Sequence, residues 1–313
     1  MNNNTTSSEL ANRYNTRYKK NTYIKQFNKQ IPIPTYDNWL INHTFKKAWK
    51  IFKKEKKKVF KILDFGCGDG RMFNTLNKIS IFLLKRSISL EIINFDIAEE
   101  GLKRYSHNLI NKGFSPTNKK QKELLTLKKD NITIKFIAAK PDYKSQFLLD
   151  NIDKVDMSLA MFDVINHIPK KSHRIEALKT LKKVTNYYLV FSVTSPVLFK
   201  REQFVYSYLR EMNSSFKSAM EKGDIYYPEF GEKKGITDFM HIYTAKELRK
   251  NVRQAGWKLE KLSIAAITDI IKNKPSFLNC KIDEYLSRII SKILPFWMLD
   301  KIGINLAVVV KSK

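Results

Sequence analysis

From Phe60 to Val193, short apolar runs take turns with stretches of helical periodicity. "FKILDF" (60–65) reads as a buried strand, "RMFNTLNKISIFLLKR" (71–86) as a helix, "LEIINFD" (90–96) as a strand and "AEEGLKRYSHNLI" (98–110) as a helix. A polar, lysine-rich connection then leads into the strand "ITIKFIAA" (132–139). "KVDMSLAMFDVI" (154–165) is the next strand candidate. The helix "SHRIEALKTLKKV" (172–184) and the strongly apolar "YYLVFSV" (187–193) follow. Such alternation predicts a parallel sheet with helices on both faces. Residues 197–240 break the rhythm, and "TAKELRKNVRQAGW" restores it. There Thr244 is placed to cap a helix, Glu247 to complete a capping box, and Gly256 to end it. "WKLEKLSIA" and "INLAVVVKSK" predict two closing strands. Between them a broad apolar stripe over residues 277–294 predicts a helix that Pro295 stops.

Before the first strand, "TYDNWLINHTFKKAWKIF" spaces Trp39, Leu40, Phe45, Trp49 and Phe52 for an amphipathic helix, either covering one edge of the core or serving as a flap over a ligand. Residues 1–12 are polar with little to bury and predict a disordered tail. The chain therefore divides into that tail, a helical cap over 13–57, and an α/β domain over 58–313 with insertions at about 111–131, 197–240 and 268–303.

Composition adds a core and a field. Of 313 residues, 43 % are hydrophobic, enough for a sizeable interior, and no apolar run is long enough to span a bilayer. The N-terminus lacks the layout of a secretory signal, and one of the two cysteines, Cys67, lies in a glycine loop. A reducing cytoplasm is the expected setting. Against 30 acidic residues stand 58 lysines and arginines, a net charge of +28 that favours RNA, DNA or an anionic membrane face. Lysine, asparagine and isoleucine are all abundant, so part of this charge reflects coding bias.

The chemistry concentrates in "DFGCGDGR" (64–71), where Gly66, Gly68 and Gly70 follow a strand and open a helix. Missing β-carbons let backbone N–H groups approach a ligand, and a helix N-terminus favours negative groups. A phosphate-binding loop needs lysine and serine or threonine after its last glycine, where Arg71 and Met72 stand. A dinucleotide loop needs glycine in place of Arg71 and has no use for Asp64 near a pyrophosphate. A cofactor carrying an ammonium makes sense of that acid.

The segment resembles the first motif of the class I S-adenosylmethionine-dependent methyltransferases, Asp-x-Gly-x-Gly-x-Gly. The resemblance covers roughly 58–196, 241–266 and 304–313. It implies a Rossmann-like, doubly wound, mostly parallel seven-stranded sheet with a helical insertion before the last strand, and S-adenosyl-L-methionine as cofactor. By the same likeness Asp64, Phe65, Gly66, Cys67, Gly68 and Gly70 would hold the methionine end. Asp96 would take both ribose hydroxyls, with Ile97 beside it, and Met161 and Phe162 would lie near the cofactor. Asn166 and His167 would lie near the acceptor. His167, Asp163 and His241 are the candidate general bases. Two departures stand out: Ala138-Ala139 replaces an acid–small pair near adenine, and "VTNYY" replaces a Pro-Gly-Gly turn.

For the acceptor, "HIYTAKELR" is similar to a segment of the group that contains quinone-biosynthesis enzymes. This implies an O or N atom of a small-molecule, sugar or lipid-like acceptor, with peripheral membrane contact through 277–294 as a further expectation. The alternatives are RNA, either tRNA or a cap guanine-N7, and a binding module without activity. The cap reading rests on Tyr14-Asn15-Thr16-Arg17 and Asp37-Asn38-Trp39-Leu40-Ile41.

Overall fold

The computed structural model describes residues 12, 14–16, 18–19, 35–117, 124–139, 145–196, 221–227, 238–265, 277–299 and 305–312. Apart from Asn12, the expected tail over 1–12 lies outside these residues, as does most of the insertion over 197–240.

In chain order the elements are α1 (Thr35–Phe52), β1 (Val59–Phe65), α2 (Phe73–Leu84), β2 (Ser89–Asp96), α3 (Glu99–Asn111), β3 (Ser115–Pro116), β4 (Leu124–Lys129) and β5 (Ile132–Ala138). Then come α4 (Ser145–Asn151), β6 (Val155–Ala160), α5 (Lys171–Val184), β7 (Thr185–Thr194), β8 (Asp224–Tyr227) and β9 (Asp238–His241). The last are α6 (Ala245–Gln254), β10 (Lys258–Ala265), α7 (Phe277–Ile293), α8 (Phe296–Leu299) and β11 (Asn305–Lys311).

One sheet runs in the order β10-β11-β7-β6-β1-β2-β5-β4-β3, and β8 and β9 form a separate hairpin. Strands β7, β6, β1, β2 and β5 are parallel, whereas β11, β10, β4 and β3 pair antiparallel with their inner neighbours. The chain leaves β1 for β2 on one side and reaches β6 on the other. The carboxyl end of β1 is thus the point where the winding reverses, and that is where α/β sheets open a crevice for ligands.

The expected seven strands are nine. The extra pair comes from the connection read as an insertion over 111–131. Its "LLTLKK" extends the edge by pairing with β5, and Leu127 is buried there while the lysines point outward. Beyond it lies only the two-residue β3, which ends in Pro116 and is a poor template for further pairing, so the sheet ends there.

Two apolar layers flank the sheet. On one face α1, α2 and α3 pack over Phe60, Ile62, Leu90, Ile92, Leu159 and Val190. α1 buries Tyr36, Leu40, Ile41, Phe45, Ala48 and Phe52 at helical spacing, and Phe45 and Phe52 meet Phe60 edge-on. The reading of α1 as a core-covering helix holds. On the other face α4, α5, α6 and α8 pack over Leu63, Ile93, Leu189 and Val193. Trp257 closes this layer by donating its indole N–H to the Leu178 carbonyl at 2.8 Å. α7 lies against β10 and α1 at the sheet's far edge. No helix among the described residues is long and apolar enough to cross a membrane.

Candidate active site

The glycine loop leaves β1 with Gly66 N–H bonded to the Phe95 carbonyl at 2.7 Å, which ties it to the end of β2. Gly66 has φ +74°, and a Cβ there would stand 2.4 Å from Cγ2 of Val164, so the loop after β6 lies directly on it. Gly68 has φ +56°, and a Cβ there would stand 2.5 Å from the Tyr18 hydroxyl. Neither position accepts a side chain without displacing a neighbour.

Two carboxylates define the electrostatics. Asp96 at the end of β2 accepts Gly68 N–H at 2.7 Å and Ala98 N–H at 2.8 Å, so both oxygens brace backbone. Asp64 is buried, and its Oδ2 has no hydrogen-bond partner among the described residues. Burial first, and then the Asp96 charge, push the Asp64 carboxyl up to about 7. Burial is also the main force raising Asp96, with the amides of Ala98 and Gly68 pulling the other way. Cys67 is buried in the loop and its thiol is pushed well up by that burial and by Asp96 and Asp64, which leaves it unreactive.

Two buried carboxyls without a counter-cation are costly, and a ligand bearing a positive group at the loop relieves that cost. The orphaned Asp64 oxygen and the glycine cradle therefore fit a cofactor that carries an ammonium and hydroxyls. They do not suit a pyrophosphate, which would face both acids.

The loop after β6 carries the acceptor-side candidates. Met161 is buried, and Phe162 and Asp163 hold positive φ of 59° and 62°, strain of the kind that clusters at functional sites. Phe162 N–H bonds Ser192 Oγ at 3.0 Å, and the Arg71 guanidinium lies 5.2 Å from its ring, so this loop and the glycine loop are stitched together. Asp163 is raised by burial, opposed by His167, Thr194 and Arg71 around it. His167, one helical turn on, places Nδ1 2.8 Å from the Phe239 carbonyl. A carbonyl only accepts, so we assign the proton to Nδ1, which makes Nε2 the basic nitrogen of the neutral ring.

His241 is tied to this loop through its backbone, its N–H bonding the Asn166 carbonyl at 2.8 Å and its carbonyl accepting the Asn166 amide at 2.7 Å, but its ring is engaged elsewhere. It is fully buried, with Nδ1 2.7 Å from Asp224 Oδ1 and Nε2 3.0 Å from Glu247 Oε1. The predicted capping box is thus half-built: Thr244 Oγ1 accepts Glu247 N–H at 3.2 Å, but the Glu247 carboxylate turns to His241. The Glu221–Asp224–His241 group has the proximity of a metal site. However, Arg174 Nη2 lies 2.7 Å from Glu221 Oε2, both oxygens of Glu221 accept Lys171 N–H, and His241 already bonds Asp224. A guanidinium and an imidazole occupy the places a metal would need.

Sequence reasoning singled out Tyr14 and Asn15 only for the cap reading, and missed Tyr18 and the contacts that this segment makes. Tyr18, 3 % exposed, lays its ring on Gly68 and on Gly101 at the start of α3. Asn15 Oδ1 accepts Glu100 N–H at 3.0 Å, capping that helix from far away in the chain. Tyr14 meets His167 edge-on with centroids 5.9 Å apart. One short segment thus touches the glycine loop, the helix after Asp96 and the candidate base.

The sequence and the fold have known counterparts. Residues 39–262 match the model of the family described as methyltransferase domain. Among solved structures, the fold is similar to a SAM-dependent methyltransferase from Methanosarcina mazei, at 13 % identity with a TM-score of 0.50, covering 84 % of this chain and 96 % of that one. It is similar as well to an S-adenosylmethionine-dependent methyltransferase from Clostridium acetobutylicum, at 12 % identity and a TM-score of 0.50, covering 93 % of this chain and 98 % of the other. A search of curated proteins by sequence found no match. With the glycine loop, the unpaired acid and the reversed winding already in place, the family match closes the question of class: the chain belongs to the methyltransferase-domain family and is an S-adenosylmethionine-dependent methyltransferase.

Proposed function

We propose that the protein transfers a methyl group to an O or N atom of a small-molecule or lipid-like acceptor, with His167 as general base. The observation that carries this reading is the seating of the β6 loop on the glycine loop through Val164 and Arg71, and it supports a role for His167 and Asp163, which follow on that same loop. Phe162, Val164 and Tyr14 make the surroundings aromatic and apolar, which suits a compact acceptor better than a polynucleotide.

When bound, the cofactor supplies an activated methyl on a sulfonium. The residues supply position and charge. Asp64 would hold the ammonium, Asp96 the ribose hydroxyls, and the amides of the glycine loop the remaining polar groups. Tyr18 and Phe162 would exclude water. In-line placement of acceptor and methyl removes about 7–11 kcal/mol from such a barrier. A proton leaving an acceptor hydroxyl or amine would pass to His167 Nε2, with the Asp163 carboxylate stabilising the imidazolium. His241 is read as an anchor rather than a base, since both its nitrogens are engaged.

Incubation of the protein with methyl-tritiated cofactor and a cell extract, separated into RNA, organic-soluble, small-molecule and protein fractions, tests the acceptor class. Label in the organic or small-molecule fraction is expected, and label in RNA would overturn the acceptor assignment while leaving the reaction type intact.

A further inference from the structure

The charge of the chain gathers at one place that the reaction does not use. On the outward side of α1, Trp39 stacks on His43 with centroids 5.1 Å apart. Lys261 of β10 places Nζ 4.5 Å over the same indole, and the Arg288 guanidinium of α7 lies 4.1 Å from it. Lys46, Lys47 and Lys292 act on this group as well. Glu260 beside it is held by Lys47 at 2.8 Å. Among the described residues neither Lys261 nor Lys292 has an ion-pair partner. Burial and then Lys47, Lys292 and Arg288 press the Lys261 ammonium down to about 8. Lys261 and Lys292, held this close to further cations and with no ion-pair partner among the described residues, are relieved by an anion.

The same face is apolar where it is most exposed. Tyr285 and Ile293, 63 % and 73 % exposed, are the two most exposed large hydrophobic residues among those described, and both lie on α7 with Arg288 and Lys292 between and beside them. Ring, cation and exposed apolar side chain together match an anionic lipid surface, where phosphates meet the cations and the apolar residues enter the headgroup layer. A nucleic-acid base finds less here, because His43, Arg288 and Lys261 already occupy the Trp39 ring.

We infer that the face built from α1, β10 and α7 docks on an anionic phospholipid surface, with a lipid phosphate seated among Trp39, Lys261, Arg288 and Lys292. Strand pairing places this seat relative to the chemistry. Lys261 pairs with Val309, Val309 with Val190, Val190 with Leu159, and Leu159 with Asp64. The phosphate seat therefore stands level with Asp64 and four strands away, about 19 Å at the usual strand spacing. The site that holds the cofactor and the surface that meets the lipid lie at the same height on one side of the sheet.

The test is co-sedimentation of the full chain with vesicles of phosphatidylcholine alone or mixed with phosphatidylglycerol. The expected result is binding only to the mixed vesicles, reduced at least tenfold by Lys261→Met with Lys292→Met. Tyr285→Ser with Ile293→Ser is expected to weaken it without altering charge. A control pair of the same charge loss elsewhere, Lys78→Met with Lys85→Met, is expected to leave binding near the unmodified level. Calorimetric binding of S-adenosylmethionine reports that each variant is folded, and Lys292→Met alone, on an exposed side chain, serves if Lys261→Met is not. Equal losses in the control pair would overturn the proposal by making binding a matter of net charge. So would undiminished binding of the Lys261/Lys292 variant. Binding to single-stranded RNA or to inorganic phosphate without binding to vesicles would overturn the lipid as the source of the phosphate. None of these outcomes depends on turnover, so the acceptor assignment stands or falls separately.

Discussion

At the scale of single residues, Asp64 joins folding to cofactor binding. A carboxyl whose folded pKa is raised to about 7 favours folding below its unfolded value and loses that contribution as pH rises through about 7. Asp64→Asn is therefore expected to raise the melting temperature of the cofactor-free protein at pH 8 and to change it little at pH 4. The same variant should weaken S-adenosylmethionine by about 10–100-fold, the worth of one charge-assisted contact. In the unmodified protein, affinity should fall as pH drops below about 7, whereas the variant should show no such dependence by calorimetry. A variant that binds like the parent would remove Asp64 from the site. For His167→Ala the expectation is a loss of about 10²–10⁴-fold in turnover with cofactor affinity unchanged. Parallel losses in both would mark His167 as structural.

Asp64, the glycines and Asp96 were legible because they stand where apolar strand patterns break, and only such interruptions need glycine or a buried acid there. Tyr14, Asn15 and Tyr18 were not. Their partners, His167, Glu100 and Gly68, are remote in sequence, and a polar segment with two tyrosines carries no periodicity that points across the fold.

At the scale of elements, the β8–β9 hairpin is held by charge as well as by the burial of Ile225, Phe239 and Met240. Asp224 and His241 form one rung of it, and α5 and α6 bring Arg174 and Glu247 to the same place. Burial works against the charged imidazole, but Asp224 and Glu247 outweigh it and the His241 pKa is raised. Its stabilising contribution is complete below about pH 6.5 and is lost as pH rises through the higher folded value. Melting curves between about pH 6 and pH 9 should therefore show the unmodified protein losing stability with rising pH relative to His241→Gln. Curves that run parallel would mean that the ring is neutral throughout.

The helices and central strands of this fold were readable from period alone. The outer strands β3 and β4 were not, because alternating leucine and lysine in a charged stretch also describes a solvated loop until β5 offers an edge. His241 was misleading for a related reason. A lone histidine before a helix looks available, and its buried partner Asp224 sits in the segment that breaks the pattern.

At the scale of the molecule, a net charge of +28 states how much positive field exists but not where it lies. The sheet sorts it. Lysines of β4 stand exposed next to one edge, and cations of α1, β10 and α7 crowd the opposite one around an aromatic ring. Composition could not distinguish these uses, since both draw on the same residue type.

The N-terminal segment carries one more consequence, and it concerns the order of arrivals. Tyr18 covers the glycine loop while Tyr14 leans on His167, so one piece of chain screens both the cradle and the proposed base. A cofactor already seated is thereby shut in before the acceptor arrives, and it leaves only after the methylated product has gone. Turnover should follow compulsory-order kinetics. The demethylated cofactor should inhibit competitively against S-adenosylmethionine, and a dead-end acceptor analogue uncompetitively against it. Deletion through Lys19 should leave the first pattern competitive, turn the second from uncompetitive to noncompetitive, and quicken release of the cofactor.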